Sequence, residues 1–209
     1  MNRLARLLAG APQRLVVALV VVATLAVGCA DSTPTGLAGI VREPAPDVSG
    51  AILSDGANGG ADFTTVARAG HLLLVYFGFT FCPDICPTTL ADTRKALRGL
   101  GDRAELVDFA MITIDPERDR PEGLTEYVQA FFEYGHALRT DDAERLRRVA
   151  DAYGADYRVI KRDDGVVEVE HSAFLYVVDS RGRILVQWAF GTPSEDMTND
   201  LAYLFDQGV

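Results

Sequence analysis

The run from Leu72 to Leu90, LLLVYFGFTFCPDICPTTL, constrains this chain more than any other stretch. Leu72 to Phe79 is apolar without alternation, the pattern of a strand buried on both faces of a sheet. It leads directly to Cys82 and Cys86. Pro87 suits the first position of a helix that carries Leu90, Leu97 and Leu100 and stops at Gly101, so Cys86 is expected near the N-cap. Unpaired amides and the dipole at a helix N-terminus favour anions, and a thiol there is expected to ionise more readily than a free one. Two sulfurs about one helical turn apart can chelate a single soft ion or close on each other as a disulfide. A bridge over so short a loop restricts the unfolded chain only modestly, which makes a purely structural disulfide the weaker reading.

The N-terminal segment sets the compartment. Arg3, Arg6 and Arg14 flank and precede Leu15 to Val27, an uncharged apolar run that ends in Gly28-Cys29. This is the layout of a secretory signal, and the apolar run is too short for a comfortable membrane span. It resembles a bacterial lipoprotein signal, which implies that residues 1–28 are removed and that Cys29 carries lipid. An uncleaved anchor helix is the alternative. Either way the rest of the chain is expected outside the cytoplasm, on the outer face of the cytoplasmic membrane and attached to it. With Cys29 accounted for, Cys82 and Cys86 are left as one pair in an oxidising compartment. A closed four-ligand zinc site would need two histidines beside them, and the chain has only His71, His136 and His171.

Residues 29–46 are rich in Ser, Thr, Gly, Ala and Pro, show no helical or strand period, and read as a flexible tether able to reach on the order of 55 Å. Residues 47–209 are long enough for one domain with a full core. The net charge of −10 becomes −13 once the three arginines of residues 1–28 are gone. That balance argues against nucleic acid and against adhesion to anionic headgroups.

The domain alternates strands and helices. Ala45 to Thr64, with Ala57-Asn58-Gly59-Gly60 as its turn, predicts a small N-terminal hairpin. After the first strand and helix, Leu106 to Ile114 reads as a second buried strand, followed by the turn-rich DPERD. Pro121 to Phe132 predicts a helix with Leu124, Val128, Phe131 and Phe132 inward. Asp141 or Asp142 caps another that stops at Gly154. Ser172 to Val178 and Ile184 to Trp188 form strands about the turn Asp179-Ser180-Arg181-Gly182, and Ser194 opens a final helix. The order β-α-β-α-α-β-β-α predicts an α/β protein: a mixed central sheet with helices on both faces and an N-terminal β-hairpin extension.

Three runs in this order, YFGFTFCPDICPTTL, ITIDPERDRPEGLTEY and EHSAFLYVVDSRGRI, resemble the SCO/SenC family of thioredoxin-fold copper proteins. The resemblance spans most of residues 47–209. It implies a thioredoxin-like fold, with copper held by Cys82, Cys86 and His171. The implied partner is the copper-bearing subunit of cytochrome c oxidase. Phe81 and Glu170 depart from the residues common at their positions in the family, and neither is a ligand position.

The donor set supports the same chemistry without the family. Two thiolates and an imidazole suit Cu(I), and the imidazole with an added oxygen extends the site to Cu(II). Three protein ligands leave a position open for handing metal on. Asp84, between the cysteines, and Asp115, at the end of the second strand, are candidates for tuning the ligands from outside; each can equally serve a cap or a turn. His71 and His136 are taken as structural or solvent-facing.

Three functions compete. A monomeric copper chaperone, not an enzyme, ranks first. A thiol-disulfide oxidoreductase that uses Cys82 and Cys86 as a redox pair to reduce the target's cysteines ranks second. A peroxide-reducing enzyme ranks last, because no clear partner for an activated cysteine stands near Cys82. Reductases of this fold usually carry two residues between their cysteines and a facing cis-proline. Here there are three residues, and no proline between Asp156 and Thr192.

Overall fold

The computed structural model describes residues 36–208. Residues 1–28, expected to be a signal segment, and the lipidation candidate Cys29 lie outside the described residues. None of the described helices is long and apolar enough to cross a membrane.

The most apolar strand is the centre of the molecule. β3 (Leu72–Gly78) is buried at every position and pairs in parallel with β4 (Val107–Thr113). Two buried faces require cover on both sides, which accounts for the unbroken apolar run. The full sheet runs β2 (Ala61–Thr64), β1 (Ile52–Asp55), β5 (His136–Arg139), β4, β3, β8 (Phe174–Val178), β9 (Ile184–Ala189). β3, β4 and β5 are parallel, and the remaining pairings are antiparallel. A separate two-stranded hairpin, β6 (Tyr157–Lys161) with β7 (Val167–His171), stands off this sheet.

Successive residues of a strand point to opposite faces. Tyr76 directs its hydroxyl at Cys86 in α1 (Ile85–Gly99). Phe77 meets Tyr153 of α3 (Ala143–Tyr153), ring centroids 5.2 Å apart. α1 and α3 therefore cover opposite faces, and the expected mixed sheet with helices on both sides is present. α4 (Ser194–Asp206) packs along α1, where the Thr198 hydroxyl donates to the Ala96 carbonyl at 2.9 Å. α2 (Pro121–Gln129) buries Leu124 and Val128. Asp142 caps α3 by accepting from the Arg145 amide, and Gly154 ends that helix in the left-handed region at φ 67°. The hairpin β1–β2 turns through a 3-10 turn at Gly56–Asn58, which Gly59 closes at φ 63°.

Several features differ from the sequence expectation. α1 starts two residues early: Asp84 occupies the N-cap position and Pro87 the third helical position, where its missing N–H is still no loss. A strand absent from the expected order, β5, begins at His136 directly after Tyr134-Gly135. β8 begins at Phe174 and not at Ser172, and His171 ends the preceding strand, β7. The final helix, by contrast, opens at Ser194 as expected, with Pro193 in its N-cap position.

The segment assigned to the tether is not free over its described part. Ala38 and Gly39 donate their amides to the Asp200 carboxylate at 2.7 and 2.9 Å, and Trp188 Nε1 donates to the same group at 2.7 Å. Ile40 exchanges backbone hydrogen bonds with Gln187, and Ile184 N–H reaches the Pro46 carbonyl. Residues 36–48 thus form a strap along β9. A Cβ on Gly39 would come within 2.3 Å of Val186 Cγ2, so only glycine passes here.

Candidate metal centre

The chemistry gathers at the C-terminal end of β3. Beyond Gly78 the chain turns, Cys82 N–H donates to the Phe79 carbonyl at 3.3 Å, and α1 begins. Cys86 is the second helical residue, and its amide has no acceptor within the helix. It donates to Cys82 Sγ at 3.2 Å. This local geometry brings both sulfurs to one side of the helix start. Both cysteines are free thiols, so the structure describes the dithiol form.

His171 arrives from the other side, on the end of β7. Its Nε2 stands 3.8 Å from Cys86 Sγ, and its Nδ1 lies 3.2 Å from the Ser172 carbonyl. A carbonyl only accepts, so Nδ1 carries the proton and Nε2 presents its lone pair to the sulfurs. Burial pushes the His171 pKa down, against a smaller upward pull from the Ser172 carbonyl, and so favours the neutral ring that ligates metals. Phe79 and Tyr76 meet this ring edge to face, at centroid distances of 6.0 and 6.2 Å, and fix its plane.

Sγ of Cys82, Sγ of Cys86 and a ring nitrogen of His171 all lie within 4.8 Å of one another, and no other cluster of three metal-binding side chains occurs among the described residues. Two sulfurs and a neutral imidazole fit a soft ion.

Cys86 corrects one expectation. It is wholly buried, and burial pushes its thiol pKa up to about 12, reinforced by the Cys82 contact and opposed by the Phe79 backbone and the Tyr76 hydroxyl. Desolvation outweighs the helix N-terminus. Ionisation of this sulfur therefore needs a cation in the site, which supplies the charge that water cannot. Cys82, at 9% exposure, is the less deeply buried of the two cysteines.

The two outer candidates part company. Asp84 is exposed and makes no capping hydrogen bond; its carboxylate only meets the Thr88 hydroxyl at 3.5 Å. Asp115 is buried and ion-paired to Arg118. No hydrogen bond joins either carboxylate to a sulfur among the described residues. Arg118 in turn lies over Phe81 and Phe79, 5.0 and 5.8 Å from their ring centroids, so Asp115 reaches the cysteine loop through that arginine. Phe81 itself is 60% exposed, and Glu170 pairs with Arg158 at 3.6 Å. His136 pairs with Asp55 at 2.8 Å and His71 with Asp108 at 3.6 Å, both far from ligation.

Two residues with a bearing on the site were not singled out by sequence. Gly78 passes so close to Cys86 that a Cβ would lie 3.2 Å from its sulfur; a glycine inside an apolar strand was the available signal. Asp119 is the other, and sequence offers no signal for it beyond its place in a turn.

The fold and donor set define an α/β protein of thioredoxin-like layering with a two-cysteine, one-histidine soft-metal centre. The SCO1/SenC family model matches residues 57–206, and the chain belongs to that family. A SCO2-like protein of Rickettsia prowazekii is 36% identical over 128 residues, 60% of this chain and 62% of that protein. The chain thus spans under two thirds of that relative's length. A copper-binding protein of Stutzerimonas stutzeri, so described provisionally, is 34% identical over 58% of this chain and 60% of its own. Among solved structures, Bradyrhizobium japonicum ScoI with copper bound matches at 29% identity and TM-score 0.63, covering 76% of this chain and 96% of that one.

Proposed function

We propose that this chain is an extracytoplasmic copper chaperone. It holds copper through Cys82, Cys86 and His171 and passes it to the copper-bearing subunit of cytochrome c oxidase. The observation that carries the reading is the convergence of two thiols and one neutral imidazole within 4.8 Å at a sheet end, in a family with copper-bound members. Copper is the cargo. The Cys86 amide, the Tyr76 hydroxyl and the Ser172 carbonyl orient the donors, and the coordination position that three protein ligands leave free is where an acceptor's ligand would enter. Lipid on Cys29 would hold the domain at the outer face of the cytoplasmic membrane as a monomer.

The competing reading, a reductase of the acceptor's cysteines, needs the two sulfurs but not the imidazole. The lone pair of His171 aimed at Cys86 favours the chaperone. The test is His171→Ala. Disulfide formation between Cys82 and Cys86 should persist while Cu(II) spin-resonance spectra lose nitrogen coordination and the affinity drops. A wild-type spectrum without a nitrogen ligand, or full oxidase assembly by the variant at limiting copper, would sink the chaperone role of this residue. Cys29→Ser should block processing of the precursor, and a native N-terminus at Met1 would remove the lipoprotein reading.

A further inference from the structure

The Asp119 carboxylate is 1% exposed and faces no cation among the described residues within ion-pairing distance. Its partners are all neutral donors. Thr80 gives it both its amide, at 3.1 Å, and its hydroxyl, at 2.5 Å, and Thr113 gives its hydroxyl at 2.6 Å. Thr113 then accepts the Asp115 amide at 3.0 Å, and the Asp119 amide closes the turn on the Asp115 carbonyl at 3.0 Å.

These bonds do not serve sheet pairing. β3 and β4 are already in continuous register from Leu72↔Val107 to Gly78↔Thr113, and Ile114 N–H binds the Gly78 carbonyl one step further on. Burying a carboxylate costs solvation that an apolar side chain would not, so its presence calls for a geometric reason. The geometry supplies one. Thr80 lies in the short connection between the end of β3 and Cys82, whereas Cys86 belongs to a helix and needs no such support. The same turn reaches two further parts of the site. Arg118 lies over Phe79 and Phe81, and Glu117 pairs with Lys161 of the hairpin that carries His171, at 2.5 Å.

We propose that Asp119 is the positioning residue for Cys82: by gripping Thr80 against Thr113 it holds the cysteine loop in the metal-ready arrangement before any metal arrives. Cys82 is the less buried cysteine and sits on the loop, so it is the ligand with freedom to lose. Without the grip, that loop has to be ordered when metal binds, and the ordering cost is taken from the affinity. The copper part of this rests on the function proposed above; the loop part does not.

The test compares the purified full chain with Asp119→Ala, Thr80→Val and Thr80→Ser. In the metal-free, reduced protein, alkylation of Cys82, read by peptide mass, should speed up by about tenfold in the first two variants, while Thr80→Ser, which keeps both donors, stays at the wild-type rate. Copper affinity should drop by about tenfold in the same two variants, with a broadened Cu(II) spectrum that retains its nitrogen coupling. Thr80→Val keeps the shape of the side chain and decides the matter where Asp119→Ala fails to fold. Wild-type alkylation rates and an unchanged spectrum in Thr80→Val, with or without a lower melting temperature, would overturn the proposal. If the wild type binds no copper, the functional reading fails on its own and the alkylation rates still judge Asp119.

Discussion

Replacing Gly78 by alanine tests the close packing behind the sulfurs. The added Cβ would lie 2.7 Å from Tyr76 Cε1, 3.0 Å from Met111 Cε and 3.2 Å from Cys86 Sγ. The methionine end can move aside. The Tyr76 ring cannot do so freely, because it is fully buried and its hydroxyl meets Cys86 Sγ at 3.6 Å. Overpacking of this kind costs about 1–3 kcal/mol, and the removal of a strand glycine returns about 0.5–1 kcal/mol. The net loss of up to about 2.5 kcal/mol, centred near 1 kcal/mol, corresponds to a fall in melting temperature of up to roughly 10 °C for a domain of this size. The damage should also be local, with Tyr76 or Cys86 displaced, weaker copper binding and an altered Cu(II) spectrum. Gly50→Ala is the control, since nothing lies within 4 Å of its added Cβ. The assay is thermal unfolding of the metal-free protein, followed by copper titration of both variants. A Gly78→Ala protein that matches the Gly50→Ala control in both measurements would refute the claim that Gly78 is there to let Cys86 sit against the strand.

Three further outcomes are expected. Because burial raises the Cys86 pKa to about 12 and binding needs the thiolate, copper affinity should increase by about tenfold per pH unit through neutrality from this proton alone; a flat profile between pH 6 and about 8 would contradict it. At Asp55, burial pushes the pKa up, but the hydrogen bond and charge of His136 with the Ala137 and Ala57 amides bring it below the usual carboxylate value. Its stabilisation is therefore present above the unfolded value near ~4 and lost as pH falls through the lower folded value, so Asp55→Asn should flatten the acid limb of a urea stability profile, and parallel limbs would count against the pairing. A chain beginning at Asp47 should lose about 3 kcal/mol or more relative to one beginning at Gly36, because Asp200 forfeits two amide donors; equal urea midpoints would show the strap to be idle.

The central strands, the cysteine-bearing helix and the α3 caps were legible because each announces itself locally, through an unbroken apolar run at Leu72 to Phe79 or through Asp142 and Gly154 at the ends of a helix. β5 was not, since only Ala137 and Leu138 of its four residues are buried and no alternation can be read from so few. The β6–β7 hairpin buries no residue fully: β7 alternates as Val-Glu-Val-Glu, but its partner β6 does not, and the pair is held by backbone bonds and by Arg147 over Tyr157, which no local pattern announces. The strap looked like a linker because its grip is a carboxylate 161 residues away in sequence. At the site, the meeting of Cys82 and Cys86 was legible from their spacing, and that of His171 with them from the resemblance. The balance between the helix dipole and desolvation at Cys86 was not, because burial is a property of the assembled fold. Asp119 was hidden for the same reason: the threonines that bind it come from two different strand ends.

The strap also decides how the sheet meets its surroundings. An open sheet ends in unpaired N–H and C=O groups that can template a neighbouring chain. On the β9 side Ile40 occupies the Gln187 amide and carbonyl, Pro46 takes the Ile184 amide, and Pro44 and Pro46 offer no N–H of their own to continue a ladder. On the opposite side β2 is only four residues long and carries the exposed Asp62. Both borders are thereby poor partners for strand addition. On the crowded membrane face proposed for it, such a domain meets its own copies without zipping onto them, which leaves encounters to the end of the sheet where Phe81, Cys82 and His171 lie.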